Sequence, residues 1–171
     1  MAKTDLTAEY VREILDYDPE TGVFIRKVRT AQCNRVGDRA DKLVLAPIGR
    51  VGYRDITIKS KKYQAHRIAW LHYYGEWPKD QLDHINGERG DNRIANLRDV
   101  SDRVNKENTH VPRKHNSSGY LGVHWSSQQG KWQGRIAVHG KNKHLGFFED
   151  PAEAHQAYIK AKRIYHEGCV I

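Results

Sequence analysis

Three observations predict an α+β protein in two parts. In the first two thirds of the chain, apolar residues recur at helical spacing in the stretches 7–17 and 63–74, among short strand-like runs. The last third shows three alternating apolar and polar runs followed by an amphipathic helix. A polar stretch without apolar periodicity, 109–118, separates the two patterns. We therefore expect a mixed domain at 1–108, a linker at 109–118 and a three-stranded antiparallel sheet packed on one helix at 119–171.

The first domain should open with the helix at 7–17, which ends where Pro19 and Gly22 predict a turn. The helix at 63–74 should end at Gly75, because glycine readily takes the left-handed backbone conformation that closes a helix. Further elements of this domain are strands at 23–28, 43–46 and 51–58, a loop at 29–42 and a turn at 47–49.

A strand–loop–strand–helix unit is predicted where this domain ends. Apolar runs at 81–85 and 97–100 indicate two short strands around a loop rich in Gly and Asn. Ser101 is a favourable N-cap for a helix at 102–108.

The charge of the chain predicts a polyanionic partner. Lys and Arg number 29 and Asp and Glu 21 in 171 residues, for a net charge of +8, which favours nucleic acid. A membrane is disfavoured because the sequence has no apolar run of about 18 residues. The N-terminal residues lack the apolar core of a signal peptide, so we expect a soluble cytoplasmic protein. Cys33 and Cys169 are expected to be free thiols.

Four polar residues within the strand–loop–strand–helix unit form a candidate site for phosphodiester hydrolysis. Asp83 and Asn105 offer oxygen ligands, which suit Mg²⁺ or Mn²⁺. His84 is the candidate general base, since an imidazole pKa of about 6.5 suits proton transfer near neutral pH. Asn96 is the candidate orienting residue, its side-chain oxygen accepting a hydrogen bond from the imidazole.

Each of these residues could have an ordinary structural role, in an Asx turn, a cap or a solvated helix face. Their order and spacing together favour the site. For His66, on the preceding helix, we favour the role of a structural histidine with satisfied hydrogen bonds, or of a phosphate contact, over metal binding.

The segments Asp83-His84, Asn96-Leu97-Arg98 and Asn105-Lys106-Glu107-Asn108 resemble the HNH endonucleases of phages and homing elements, which have a ββα-metal site. The resemblance covers about residues 50–108. It implies cleavage of double-stranded DNA with the roles given above, Arg98 as a DNA contact, and a location in the host-cell cytoplasm if a phage encodes the chain. At Asp91-Asn92-Arg93 many relatives carry paired asparagines, and the role of Asn92 stays open.

The predicted C-terminal sheet has an apolar and a polar face. Alternation assigns Leu121, Val123, Trp125, Trp132, Gly134, Ile136, Val138, Leu145 and Phe147 to the face that packs on the helix. We expect Trp125 and Trp132 to be core residues. The opposite face should be polar and cationic, and a sheet of this kind can enter the major groove of DNA.

Charge and resemblance both indicate DNA binding by this module. Residues 112–171 contain nine Lys and Arg against four Asp and Glu, for a net charge of +5. The segments Tyr120-Leu121-Gly122-Val123 and Trp132-Gln133-Gly134-Arg135 are similar to the Apetala/ethylene-responsive-factor DNA-binding domain, although His124 and His144 replace an arginine and a tryptophan typical of that family. The candidate DNA contacts are His124, Lys131, Gln133, Arg135, Lys143 and His144.

The sequence thus predicts a metal-dependent DNA endonuclease, site-preferring and of the homing type. The alternative is a non-catalytic, sequence-specific DNA-binding regulator. Two further alternatives are a nuclease that acts on RNA and a structural phage protein. Cleavage of both DNA strands by one active site would need a homodimer or two successive nicks.

Overall fold

The computed structural model describes residues 6–44 and 52–170. It combines helices with antiparallel sheets, which confirms the predicted α+β class. Two compact units are present, Met1–Ser101 and Asp102–Ile171. The division lies at Ser101, ahead of the predicted linker at 109–118, so the helix that follows Ser101 belongs to the second unit. The assignment of a nuclease domain to 1–108 and a DNA-binding domain to 119–171 stays a prediction.

Residues 6–44 and 52–101 of the first unit form two α-helices, seven strands and three antiparallel sheets. The sheets are β1–β2, β3–β4–β5 and β6–β7. In chain order the elements are α1 (Ala8–Ile14), β1 (Leu15–Asp18), β2 (Val23–Arg26), β3 (Asp41–Leu43), β4 (Arg54–Ile58), β5 (Lys61–Gln64), α2 (Ala65–Tyr74), β6 (Gln81–His84), a 3-10 turn (Ile94–Asn96) and β7 (Leu97–Val100).

The predicted helix at 7–17 was too long at its C-terminal end. Thr7 caps α1, its hydroxyl accepting from the backbone N–H of Tyr10, but the helix ends at Ile14. Leu15 and Tyr17 then point into the core while Asp16 and Asp18 are exposed, and this strand pairs with β2. The local sequence fits both the helical period and the strand period, and pairing with β2 stabilises the strand.

The helix before the candidate site was predicted well. α2 ends as expected at Gly75, whose φ is 83° and whose N–H donates to the carbonyl of Leu71. It begins at Ala65 rather than at 63 because Lys61–Gln64 pairs with β4. The predicted turn at 47–49, together with residues 45–46 and 51 of the adjoining predicted strands, lies outside the described residues.

The core of the first unit lies between α1, α2 and the sheets. Val11, Leu15, Phe24, Ile56 and Ile68 are among its side chains with no measurable exposure. Burial of such side chains stabilises each by roughly 1.5–3 kcal/mol, so this core holds the candidate site on a rigid base.

The second unit is a helix followed by a sheet-plus-helix layer. The sheet runs antiparallel in the order β10–β9–β8, and Ile136, Tyr158 and Ala161 form its core against the last helix. Pro151 begins that helix as predicted, capped by the carboxylate of Asp150. The elements are α3 (Asp102–Glu107), β8 (Val123–Ser126), β9 (Lys131–Val138), β10 (Lys141–Phe148) and α4 (Pro151–Tyr165).

Two predicted core assignments in this sheet were wrong. A β-bulge between His144 and Gly146 shifts the register. Phe147 therefore lies opposite Gln133 on the face of the sheet that points away from α4, here called the outer face, and is 41% exposed. An extra residue in one strand makes the side chains of the residues that follow it point to the opposite face of the sheet. Trp125 lies in the short strand β8 and is 52% exposed, with its ring edge against Trp132.

In residues 6–44 and 52–170, no helix is both long and apolar enough to cross a bilayer. Neither Cys33 nor Cys169 is in a disulfide.

Candidate active site

The β6–β7 hairpin presents two of the predicted site residues at the end of β6. Asp83 lies opposite Arg98 and His84 opposite Leu97. Because consecutive residues of a strand point to opposite sides, the carboxylate and the imidazole lie on different faces of the hairpin. Asp83 is 7% exposed and His84 4% exposed, so both side chains are held in place by their surroundings.

Asp83 forms an ion pair across the hairpin. Nε and Nη2 of Arg98 both donate to Oδ2 of Asp83, at 2.9 and 2.7 Å. A charge-assisted pair of this kind fixes the orientation of both side chains. The predicted metal ligand is therefore preorganised, and the predicted DNA contact Arg98 balances its charge.

His84 meets the side chain of Asn92, a residue to which the sequence pattern assigns no role. Nε2 of His84 lies 3.3 Å from Oδ1 of Asn92, and Asn92 is 1% exposed. If Nε2 carries the proton and donates to that oxygen, the lone pair of the neutral ring is on Nδ1. Burial lowers the pKa of His84, opposed by the Asn92 hydrogen bond and the charges of Asp83 and Asp91. The imidazole is thus kept in its basic, neutral form.

Asn96 is bonded to the loop between the two strands. Its Oδ1 accepts from the backbone N–H of Asn86 at 3.0 Å, and its Nδ2 donates to the carbonyl of Asp91 at 2.9 Å. Its own carbonyl accepts from Ile85 at 2.9 Å. The oxygen predicted to meet the imidazole thus has a backbone donor, and the oxygen at His84 Nε2 belongs to Asn92. Spacing could not separate the two asparagines, because the loop brings both near the hairpin.

A second buried histidine lies beside His84. The ring centroids of His66 and His84 are 5.0 Å apart at an interplanar angle of 76°, and Tyr53 contacts both rings. Nδ1 of His66 has no hydrogen-bond partner within the described part of the chain, so the role of a fully satisfied structural histidine does not hold at that atom. Burial, then the charges of His84 and Arg67, lower the pKa of His66 to about 3.

Of the four residues predicted for catalysis and metal binding, Asn105 lies in the second unit. It lies in α3, in a turn flanked by the ion pairs of Arg103 with Glu107 and of Lys106 with Asp102. The first unit brings together Asp83, His84 and Asn96. The role of Asn105 as a metal ligand stays a prediction.

Comparison with known proteins places this site in a family. The profile of the HNH endonuclease family matches residues 63–107, which run from β5 through α2 and the β6–β7 hairpin to α3. Protein 3.8 of Escherichia phage T7 is 33% identical over 82 residues, which are 47% of this chain and 67% of that protein. The chain belongs to the HNH endonuclease family. No solved structure is significantly similar to it.

HNH nucleases generally use a divalent metal ion, and the chemistry of the donors here fits one. Asp83 supplies a buried, oriented carboxylate, and Asn105 would add an amide oxygen; both are hard donors suited to Mg²⁺ or Mn²⁺. Among the described residues, no three His, Cys, Asp or Glu side chains group as a metal cluster.

The outer face of the C-terminal sheet carries most of the predicted DNA contacts of this HNH protein. His124 and Gln133 are paired across β8 and β9, and Arg135 and His144 across β9 and β10. Gln133 Nε2 lies 2.9 Å from His144 Nδ1. On the same face, Lys131 forms an exposed ion pair with Glu149 at 2.8 Å.

Lys143, a further predicted DNA contact, lies on the opposite face of the sheet. It pairs with the buried Ile136, so it lies on the side of the sheet that packs on α4. Its Nζ donates to the hydroxyl of Tyr165 at 2.6 Å and lies 4.2 Å from the centre of that ring. The bulge after His144 does not reach Lys143, and strand alternation alone puts it opposite to Arg135.

Proposed function

We propose that this HNH protein is a divalent-metal-dependent endonuclease that hydrolyses double-stranded DNA at preferred sites, as homing-type enzymes do. The observation that carries the proposal is the buried His84 imidazole, hydrogen-bonded to Asn92 and adjacent to the oriented carboxylate of Asp83. A neutral, oriented base beside a hard oxygen ligand is what hydrolysis of a phosphodiester requires.

His84 acts as the general base in this proposal. With Nε2–H directed at Asn92, Nδ1 takes one proton from the attacking water, and the water oxygen forms a bond to phosphorus as the bond to the leaving oxygen breaks. The low pKa of the buried imidazole, caused first by desolvation, keeps the ring unprotonated near neutral pH. Asn96 supports the base by holding the loop that carries Asn92.

Asp83 and Asn105 would hold the metal ion. When bound, a divalent cation neutralises charge on the phosphate oxygens and stabilises the leaving oxygen. Arg98, which balances the charge of Asp83 in the structure, would share that carboxylate with the ion. The guanidinium would then be available to a DNA phosphate, in keeping with the DNA contact predicted for Arg98.

We assign the positioning of DNA to the outer face of the C-terminal sheet. His124, Gln133, Arg135 and His144 form contiguous pairs on it, with Lys131 at its edge. The side chains offer both donors and acceptors to base edges in the major groove, and the cations attract phosphates. The net charge of +5 on residues 112–171 favours this assignment.

The test is cleavage of plasmid DNA by purified protein with Mg²⁺ or Mn²⁺, and with EDTA. We expect nicked or linear product only with metal. We expect His84→Ala to abolish cleavage while DNA affinity stays within about threefold. His115→Ala, in the exposed stretch before the sheet, is the matched control. Cleavage by His84→Ala at the wild-type rate refutes the assignment.

Two extensions of the same assay separate the alternatives. A non-catalytic regulator would bind DNA with no metal-dependent cleavage by the wild type, and an RNA nuclease would prefer a matched RNA duplex. We propose that double-strand cleavage takes two protomers. Sedimentation on a DNA duplex should then show a 2:1 complex.

A further inference from the structure

The turn of the N-terminal β1–β2 hairpin packs against the loop that carries Asn92. This hairpin, Leu15–Arg26, lies outside the span matched by the HNH profile. The Tyr17 hydroxyl donates to the carbonyl of Asn92 at 2.7 Å, in a buried position. The backbone N–H of Ile94 donates to the carbonyl of Pro19 at 3.1 Å. Two hydrogen bonds thus join the hairpin to the loop, one at Asn92 itself.

Gly22 shows how close the two backbones are. A Cβ at this position would lie 2.6 Å from the carbonyl carbon of Asn92 and 2.6 Å from the nitrogen of Arg93. Its φ of +71° is one that glycine adopts easily. Only a residue without a side chain allows this approach, so the turn and the loop fit each other closely.

Tyr17 is itself firmly held. Its ring stacks on Phe24, with centroids 4.7 Å apart, and meets the edge of His72. Phe24 has no exposure and Tyr17 has 6%. The hydroxyl therefore reaches Asn92 from the rigid core of the unit, while the side-chain oxygen of Asn92 meets His84.

We infer that the β1–β2 hairpin is a positioning element for the catalytic base, with Tyr17 acting on His84 through Asn92. The inference rests on the proposed function for its consequence on catalysis. Tyr17 and Gly22 are positioning residues: they fix the backbone of Asn92, and the Asn92 side chain fixes the orientation and tautomer of the imidazole.

Tyr17→Phe is the sharpest variant, because it removes one hydroxyl and keeps the ring stack on Phe24. We expect kcat for DNA cleavage to fall about tenfold, the lower end of the effect of such supporting residues, with KM for DNA within twofold. Tyr63→Phe, in the same unit and packed on Trp77, is the matched control and should leave both constants within twofold.

A second readout does not depend on cleavage. The ¹⁵N shifts of imidazole nitrogens report which nitrogen carries the proton, and the signals of His84 can be assigned by their loss in His84→Gln. In the metal-free wild type near neutral pH we expect the Nε2–H tautomer to dominate. In Tyr17→Phe we expect a larger fraction of Nδ1–H.

A comparison of Gly22→Ala with Gly37→Ala tests the close approach of the β1–β2 turn to the loop that carries Asn92. Both glycines have positive φ, +71° and +88°, so alanine strains the backbone at each. A Cβ at Gly37 meets nothing within 4 Å, whereas one at Gly22 meets the Asn92 loop. We expect Gly22→Ala to lower kcat more than tenfold and Gly37→Ala to keep it within twofold.

The outcomes separate the positioning role of the β1–β2 hairpin from the proposed nuclease function. Wild-type kcat and an unchanged tautomer in Tyr17→Phe, or equal kcat in the two glycine variants, would overturn the positioning role. If Tyr17→Phe shifts the tautomer while the wild type cleaves no DNA, the positioning stands and the proposed function fails. If Tyr17→Phe does not fold, the glycine pair decides.

Discussion

Arg98 donates two hydrogen bonds to one carboxylate oxygen of Asp83, its direct partner across the β6–β7 hairpin. The guanidinium balances the charge of the carboxylate that we propose as a metal ligand. A cation that approaches Asp83 therefore meets an existing positive charge, which opposes its binding.

Arg98→Gln should consequently strengthen metal binding in the absence of DNA. We expect the Kd for Mn²⁺ to fall several-fold in isothermal titration, because the competing charge is gone. DNA affinity should fall, since a proposed phosphate contact is lost. Asp83→Asn is the complementary variant and should abolish metal binding. Weaker Mn²⁺ binding by Arg98→Gln would contradict the competition.

Asn92→Ala and Asn96→Ala distinguish the two asparagines. Asn92 touches the imidazole, so we expect its loss to lower kcat about 10- to 100-fold, as for other residues that orient a site histidine. Asn96 ties the loop, so its loss should lower unfolding free energy by about 1–3 kcal/mol as buried backbone groups lose partners. Full kcat in Asn92→Ala, with loss of kcat but not of stability in Asn96→Ala, would favour Asn96 as the residue that orients the imidazole.

The pH dependence of cleavage should reflect the burial of His84. Desolvation favours the neutral imidazole and lowers its pKa, although Asn92 and Asp83 oppose the shift. The base is active when unprotonated, so the acid limb of kcat should have its midpoint below the ordinary value of about 6.5. Single-turnover rates from pH 4.5 to 8 at saturating Mn²⁺ measure it. A midpoint above 6.5 is incompatible with a buried base.

His66 should make the protein less stable in acid. Its pKa is lowered to about 3 by burial and by the neighbouring His84, while the unfolded chain has an ordinary value of about 6.5. Between these values only the unfolded state binds the proton, so the free energy of unfolding falls as pH decreases. The slope from one proton is up to about 1.4 kcal/mol per pH unit.

Urea denaturation at pH 4.5, 5.5, 6.5 and 7.5 tests this for wild type and His66→Gln. Below pH 6.5 the free energy of unfolding of the variant should fall less steeply than that of the wild type, by up to about 1.4 kcal/mol per pH unit, because His84 and His72 still titrate with lowered pKa values. His115→Gln, at an exposed position, should keep the wild-type dependence. Parallel curves for wild type and His66→Gln would show that His66 does not titrate with folding.

Replacing Lys131 and Arg135 together with alanine should weaken DNA binding and flatten its dependence on salt. Loss of two phosphate contacts lowers the slope of log K against log salt by about 2. Lys160 and Arg163 provide the matched double variant, because they are exposed on α4, on the other side of the sheet from Arg135. Equal slopes for the two double variants, measured by fluorescence anisotropy, would exclude the outer face as the contact surface.

Local patterns predicted several element boundaries well. β7, the Gly75 end of α2 and the start of α4 at Pro151 were as expected, because caps, turns and strand periodicity act over a few residues. The predictions were wrong where the conformation of a segment depends on the strand with which it pairs. Leu15–Asp18 becomes a strand through β2, and a bulge turns Phe147 outward.

By itself, the sequence determined the α+β class, the HNH segment and the order of the polar residues Asp83, His84, Asn96 and Asn105. Only the tertiary structure decided that Asn92 supplies the oxygen at the imidazole, that Arg98 is paired with Asp83, and that Tyr17 supports the loop from 75 residues away in the chain. The physical reason is that side-chain chemistry and short-range periodicity depend only on residues that are close together in the chain. Hydrogen-bond partners and burial depend on which distant segments the core packs together.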